Sequence, residues 1–203
     1  MLTKLFLPHA TLVYGVEPNE TMRRQAERDL SAISNFVSVN GSAEATTLES
    51  NAVDLITVGQ AFHWFDREKT SREFRRILKP GGFLLLVWNQ RDIHADALQQ
   101  EYDTLLRRHI PHYKQVDDKT ITDDMLFTFY GTRDIQKHVV PNEQFFDFPS
   151  LLGRLYSSSY VPKPPHPILD ALVPELQEVF HKYQQNGRIR FIYQTQIYLG
   201  QLQ

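Results

Sequence analysis

The chain has no cysteine among its 203 residues, which excludes a disulfide framework and any thiolate metal site. It has no apolar stretch long enough to span a bilayer, and Met1 to Leu7 lack the architecture of a signal peptide. A cytoplasmic location and no membrane partner are therefore expected. Charge of neither sign dominates: 22 basic and 24 acidic residues leave a formal net charge of −2, with no basic run. No nucleic-acid partner is expected. The 8 histidines show no metal-ligand spacing, such as a pair one helical turn apart with an acid between, so no metal is expected. Internal repeats and low-complexity tracts are also missing. A chain of this length can bury a substantial core as a single domain.

The most informative run is Asp54 to Trp88. The strands Val53 to Val58 and Phe83 to Trp88 are nearly continuously apolar, as expected of strands covered by helices on both faces. Between them Asp66 can cap a helix with Glu68 in its first turn, Phe74, Ile77 and Leu78 as its buried stripe, and Arg75, Arg76 and Lys79 near its C-terminal dipole. Strand, helix, strand implies a parallel crossover. Pro80 and Gly81 fit the two central positions of a type II turn, where glycine accepts a positive φ.

The pattern repeats upstream. Thr11 to Val16 reads as a strand ending on Glu17, and Asn19 can cap a helix whose Met22, Ala26 and Leu30 face one way. In doubly wound sheets a carboxylate at such a strand end can accept hydrogen bonds from ribose hydroxyls, because ligands sit beyond the carboxyl ends of the strands. A solvated loop glutamate is the alternative reading of Glu17. Phe36 to Val39 reads as a third strand, and Gly41 to Glu44 as a loop whose polar groups can meet an adenine edge, or as simple turn punctuation.

Downstream, Asn89 to Asp92 leaves the strand, and Ala97, Leu98, Tyr102, Leu105 and Leu106 form an amphipathic helix ending before Pro111. Val139 to Phe148 reads as extended and Arg188 to Leu199 as a strand. A helix from Pro167 carries Leu172, Leu176, Val179, Phe180 and Tyr183 and is ended by Gly187. Leu151 to Pro167 reads as loop and surface packing. The aromatic elbow Phe62, His63, Trp64, Phe65 follows the end of a central strand. It is read either as core or as a ligand contact, with His63 a structural hydrogen bonder or a general base.

In their order and spacing these segments resemble the class I S-adenosylmethionine-dependent methyltransferases, in particular the small-molecule branch of methyltransferase type 11. Tyr14 to Pro18 is similar to the ribose-binding strand end, Gly41 to Glu44 to the adenine loop, Asp54 to Phe65 to the fourth strand with its extension, and Leu78 to Gly82 to the turn after the helix. The resemblance implies an α/β, Rossmann-like sheet, mostly parallel with a C-terminal antiparallel hairpin. It implies one domain with a cofactor-binding half, 1–92, and a cap and hairpin half, 93–203. S-adenosyl-L-methionine would be the cofactor, held by Glu17, Pro18, Ser42, Ala43, Glu44, Gln60, Ala61, His63 and Trp64. A small-molecule acceptor would be the partner, and His63 the one candidate for catalysis. Ser42 stands where the family more often has an acid, which weakens a side-chain bond to the adenine amine. Leu2 to Leu7 is similar to the later turns of the family's first helix. The first strand and its Gly-x-Gly-x-Gly loop have no counterpart before it. The resemblance thus implies an N-terminal truncation, real or from a start misassigned at Met1, a sheet lacking its first strand between those ending at Glu17 and Gly59, and impaired cofactor binding. A noncatalytic binding module of the same fold is the alternative, and a nicotinamide-dependent dehydrogenase a distant third.

Overall fold

Two separate parallel ladders carry the first part of the chain in this computed structural model, which describes residues 2–111, 113 and 121–203. Met1, to which the expectation of a misassigned start refers, lies outside them. After the short helix α1 (Thr3–Phe6), β1 (Val13–Val16) pairs in parallel with β2 (Phe36–Val39) in the register Val13↔Phe36 to Val16↔Val39. Gly15 is required by close approach: a Cβ there would lie 2.6 Å from the Phe36 ring. Between the strands runs α2 (Glu20–Asp29), capped by the Asn19 side chain, which accepts from the Met22 N–H at 3.0 Å. Its expected apolar stripe is not formed, since Leu30 is buried but Met22 is 61% exposed.

The second ladder pairs β3 (Val53–Gly59) in parallel with β4 (Leu78–Arg91) across α3 (Arg67–Ile77), whose N-terminus Asp66 caps by accepting from the Lys69 N–H. The register jumps from Val53↔Leu78 to Leu55↔Phe83, so Lys79 to Gly82 loop out, and Gly81 takes φ +80° as the turn chemistry requires. Ile56↔Leu84 and Val58↔Leu86 lie on one face of this pair; Leu55↔Phe83, Thr57↔Leu85 and Gly59↔Val87 lie on the other. The first face is closed, with Leu84 and Leu86 at 0% exposure, each contributing roughly 1.5–3 kcal/mol relative to an exposed side chain. The second face corrects the expectation of two covered faces: Leu55 is 37% and Phe83 42% exposed.

The four-stranded sheet has the order β3-β4-β6-β5, with β5 at Ile135–Phe146 and β6 at Ile189–Gly200. Asn89 meets Thr195, Gln90 meets Gln196, and the Asp92 N–H donates to the Ile192 carbonyl. Ile135 lies against Gly200, Asn142 against Thr195 and Glu143 against Arg190. Both neighbours thus run antiparallel to β6, and the expected final hairpin is present. Strand β4 continues through Asn89 to Arg91, residues expected to have left it.

The chain forms two compact units. Unit 1 comprises Met1–Trp88, Ile121–His138 and Ile197–Gln203, and unit 2 comprises Asn89–Thr120 and Val139–Gln196. In unit 1, Phe74 and Ile77 of α3 and Leu126, Phe129 and Tyr130 of α5 (Asp123–Tyr130) pack on the closed face of β3 and β4. Leu78 belongs to this buried set from its place in β4 rather than in the helix. The sequence reading missed α5, although Thr122 caps it and Gly131 ends it at φ +76°.

Unit 2 packs α4 (Ala97–His109), α6 (Phe148–Ser157) and α7 (Pro167–Tyr183) around Tyr102, Leu106, Leu151, Leu155, Leu172 and Phe191. Here the loop expected after Leu151 is corrected. Asp147 caps α6 by accepting from the Ser150 N–H, Pro149 sits in its first turn, and Leu151 and Leu155 are 0% exposed. That spacing of four is the helical signal the loop reading passed over. Gly187 does not end α7, which stops at Tyr183; it takes φ +75° in the turn that opens β6.

Candidate functional site

The carboxyl ends of β1 and β2 lie together because the strands are parallel and in register. At that edge the Glu17 N–H donates to the Val39 carbonyl at 3.1 Å, extending the ladder by one bond. The Glu17 carboxylate accepts from the Asn19 N–H through Oε1 at 2.9 Å. Its Oε2 accepts nothing from the described residues. Arg23 donates to the Glu17 carbonyl and holds the start of α2 against the strand end. Pro18 is exposed beside it.

Past β2, Ser42 and Ala45 exchange two backbone hydrogen bonds that close the loop into a tight turn. The Glu44 carboxylate then crosses to the other ladder, accepting from the Asp66 N–H at 3.0 Å and from the Thr70 hydroxyl at 3.4 Å. It therefore sits on the first turn of α3, where the helix dipole favours a negative charge. Burial pushes the Glu44 carboxyl up, but hydrogen bonds from Ser42, the Asp66 N–H and Thr70 outweigh it and leave the pKa lowered. A second clasp runs the opposite way: Glu73 of α3 accepts from both the N–H and the hydroxyl of Thr46, which is 3% exposed. Ala43 packs against the unit 1 core.

The Glu73 carboxyl is held at about 2, chiefly by the hydrogen bond from Arg76, with burial opposing and Thr46 assisting. Because the folded state depresses this pKa, its contribution to stability is complete above the ordinary glutamate range and is lost as pH falls through that range toward 2. Urea midpoints measured from pH 7 to pH 2 are expected to drop steeply below pH 4.5 in the native chain, and to be lower at neutral pH but flatter in Glu73→Gln. Parallel curves for the two proteins would show that Glu73 does not clasp the loop.

At the end of β3 the Gln60 N–H donates to the Val87 carbonyl, and Gln60 then takes φ +55°, a left-handed conformation uncommon for a residue with a side chain. Strain of this kind persists where the surroundings enforce it and collects at ligand sites. A single 3-10 turn follows at Phe62–Trp64. Its residues divide by burial: Phe62 is 3% exposed and packs edge-on to Phe129, whereas Trp64 is 60% exposed and His63 is exposed beside it. The His63 ring lies 4.8 Å from that of Trp64. The elbow is therefore core at Phe62 and exposed at His63 and Trp64. Ala61 is half-buried against the core.

Hydrogen bonds thus link the candidate residues in series, Glu17 to Val39 at one strand end and Glu44 to Asp66 between the ladders. No ladder joins β1 to β3 among the described residues, since β1 pairs with β2 and β3 with β4. Among the same residues no group of three or more acidic or histidine side chains is placed to hold a metal ion, and no helix is long and apolar enough to cross a membrane.

Unit 2 has a polar centre that the sequence did not reveal. Arg91, at the end of β4, donates to the Gln99 carbonyl, to Asp103 and to the Tyr113 hydroxyl at 3.0, 3.1 and 2.9 Å. Tyr113 and Arg107 also donate to Asp103, at 2.7 and 2.6 Å. Burial raises the Asp103 carboxyl, but its bonds to Arg107 and Tyr113 and the charge of Arg91 bring it below the usual range. Beside this network the Tyr102 hydroxyl and Gln99 Oε1 are buried without a hydrogen-bond partner among the described residues. Burial pushes the Tyr102 phenol up to about 12.

Parallel ladders joined by helices, an acid closing the first strand and a strained turn closing the third define a Rossmann-like fold of the class I methyltransferase type. Residues 1–86 match the model of the family described as a methyltransferase domain, Methyltransf_11. Over those residues the chain thus resembles a methyltransferase domain, in line with the class I S-adenosylmethionine-dependent methyltransferases, whose cofactor is S-adenosyl-L-methionine. An uncharacterized methyltransferase-like protein of Schizosaccharomyces pombe is 31% identical over 160 residues, 76% of this chain and 60% of that protein. An uncharacterized methyltransferase of Mycobacterium tuberculosis is 31% identical over 129 residues, 64% of this chain and 49% of the relative. The chain thus spans 60% or less of the length of these relatives. Among solved structures, a candidate type II methyltransferase from Anaeromyxobacter dehalogenans superposes with TM-score 0.60 at 22% identity, covering 95% of this chain and 81% of that one. The YcgJ protein from Bacillus subtilis gives 0.57 at 19%, covering 96% and 84%. At those identities the likeness is one of fold.

Proposed function

We propose that this chain binds S-adenosylmethionine along the carboxyl edge of its two parallel ladders and serves methyl transfer to a small-molecule acceptor. The observation that carries the reading is the Glu17 carboxylate at the end of β1, with Oε2 unengaged among the described residues beside a loop clasped to α3. A ribose presents two adjacent hydroxyl donors, and a carboxylate in this position accepts them. In this reading Pro18, Ser42 and Ala43 border the adenosyl group, Glu44 positions that loop from α3, and Trp64 covers the adenine. Gln60 and Ala61, through the strained turn, and His63 meet the amino acid end.

When bound, the cofactor supplies a methyl group activated on a sulfonium. That methyl would be offered to an acceptor oxygen, nitrogen or carbon, with Glu17 holding the ribose end and Gln60 and Ala61 the amino acid end of the group. A proton released by the acceptor passes to a base, for which His63 is the candidate. The protein's contribution is alignment and exclusion of water, which can remove roughly 7–11 kcal/mol of barrier when the partners are held in line. No dedicated catalytic group is needed for this part of the work.

The separation of β1 and β3 into two ladders among the described residues favours a second reading, a noncatalytic module of the same fold. Among the described residues no ladder joins β1 to β3, so in this reading the two sides of the cofactor site are held together chiefly by the Glu44 and Glu73 clasps. The chain is therefore expected to bind S-adenosylhomocysteine weakly, roughly in the millimolar range, about 4 kcal/mol of binding free energy. A calorimetric titration that saturates with one site supports the transferase reading. An isotherm that stays flat at every accessible concentration leaves the noncatalytic module.

A further inference from the structure

We propose that unit 2 contains a carboxylate-binding site in which the Arg154 guanidinium receives the acid group of a flat, apolar acid, supported by the Tyr102 hydroxyl. As the identity of the methyl acceptor this rests on the transferase reading; as a binding site it stands by itself.

Four other guanidiniums of unit 2 meet carboxylates, Arg188 not being among them: Arg91 and Arg107 face Asp103, Arg108 faces Glu175 and Arg190 faces Glu143. Arg154 meets none among the described residues. Its Nε donates to the Tyr193 hydroxyl at 2.8 Å, and no acceptor among them faces its two Nη groups. The side chain is packed over aromatic rings, with Cζ 5.3 Å from the centre of Phe191 and 5.8 Å from that of Tyr193. A half-buried cation without an anion is an unfinished arrangement.

The second observation lies on the same ring. Tyr102 packs on Phe191 with centroids 4.8 Å apart, is 0% exposed, and carries the hydroxyl that has no partner among the described residues. Arg154, a cation with two donor groups unused among the described residues, and Tyr102, with a buried hydroxyl able to donate, thus each pack against the Phe191 ring. The nearby Arg91, 5.0 Å above the Tyr102 ring, is already matched by Asp103, and Asp103 is also engaged by Arg107 and Tyr113. The local electrostatic demand is for one more negative group. Two parallel Nη–H donors match the two oxygens of a carboxylate. Phe146, whose ring is 5.4 Å from Phe191, extends the aromatic wall along which a planar apolar body can lie.

The test is a titration of the chain with benzoate followed by NMR, with benzamide as the uncharged twin and no cofactor present. Benzoate is expected to saturate, with benzamide weaker by about tenfold or more because it lacks the charge that the guanidinium recognises. Arg154→Met should weaken benzoate by at least about tenfold, while Arg72→Met, at an exposed site in unit 1, leaves it unchanged. Tyr102→Phe should weaken benzoate by about three- to tenfold without lowering the melting temperature, since the hydroxyl it removes has no hydrogen-bond partner among the described residues. Equal affinity for benzoate and benzamide, indifference to both substitutions, or no saturation overturns the proposal. If Arg154→Met fails to fold, Tyr102→Phe and the benzamide comparison decide the question. Because no cofactor is used, failure of this site leaves the S-adenosylhomocysteine titration to judge the transferase reading independently.

Discussion

Asp103→Ala is expected to destabilise the chain by about 3–5 kcal/mol, the typical cost of leaving a buried charge without its partner. The side chains of Arg91 and Asp103 are 9% and 10% exposed, so water does not replace the lost carboxylate. The same carboxylate also accepts from Tyr113 and Arg107, and the Tyr113 hydroxyl would retain only the Arg91 contact. The effect is read as a fall in the urea midpoint at constant slope. The double variant Arg91→Met with Asp103→Leu should recover much of it, because apolar residues of similar volume demand no counterion. A single variant that loses less than about 1 kcal/mol would place the network in solvent rather than in the core.

Glu17→Ala is expected to weaken S-adenosylhomocysteine binding by about 10- to 150-fold, equivalent to about 1.5–3 kcal/mol for hydrogen bonds to a charged group. The native chain's saturating isotherm would give way to one that does not saturate. Glu17→Gln should fall between the two, since the amide keeps one acceptor but carries no charge. The fold should survive either change, because the β1–β2 ladder is made by backbone groups and Glu17 bonds through its side chain only to the neighbouring Asn19 N–H. Undiminished affinity in Glu17→Ala would remove the ribose assignment and return Glu17 to the role of a loop glutamate.

Several parts of this architecture were legible from single stretches of chain. Asn19 and Asp66 each stand one residue before a helix and accept from a backbone N–H three residues on, and Gly81 lies where a turn needs a positive φ. The helix after Asp147 was equally legible in principle. The phenylalanines around Pro149 favoured an extended reading, yet a proline in the first turn of a helix loses no backbone bond. Burial proved harder to read. Phe83 to Trp88 is apolar at every position, but alternate residues point to opposite faces, and no local signal tells which face a neighbour will cover. Met22, Leu55 and Phe83 were assigned to a core that does not reach them.

By itself the sequence determined the alternation of strands and helices, their caps and turns, and the acid that closes the first strand, because these follow from torsional preferences and hydrogen bonds acting over a few residues. The tertiary structure alone decided that the parallel strands form two ladders instead of one. It also set Glu44 on the first turn of α3, 22 residues away, and brought Arg154 and Tyr193 together across 39. Such pairings depend on how distant surfaces meet when apolar area leaves water, and on which polar groups that burial then compels to find partners.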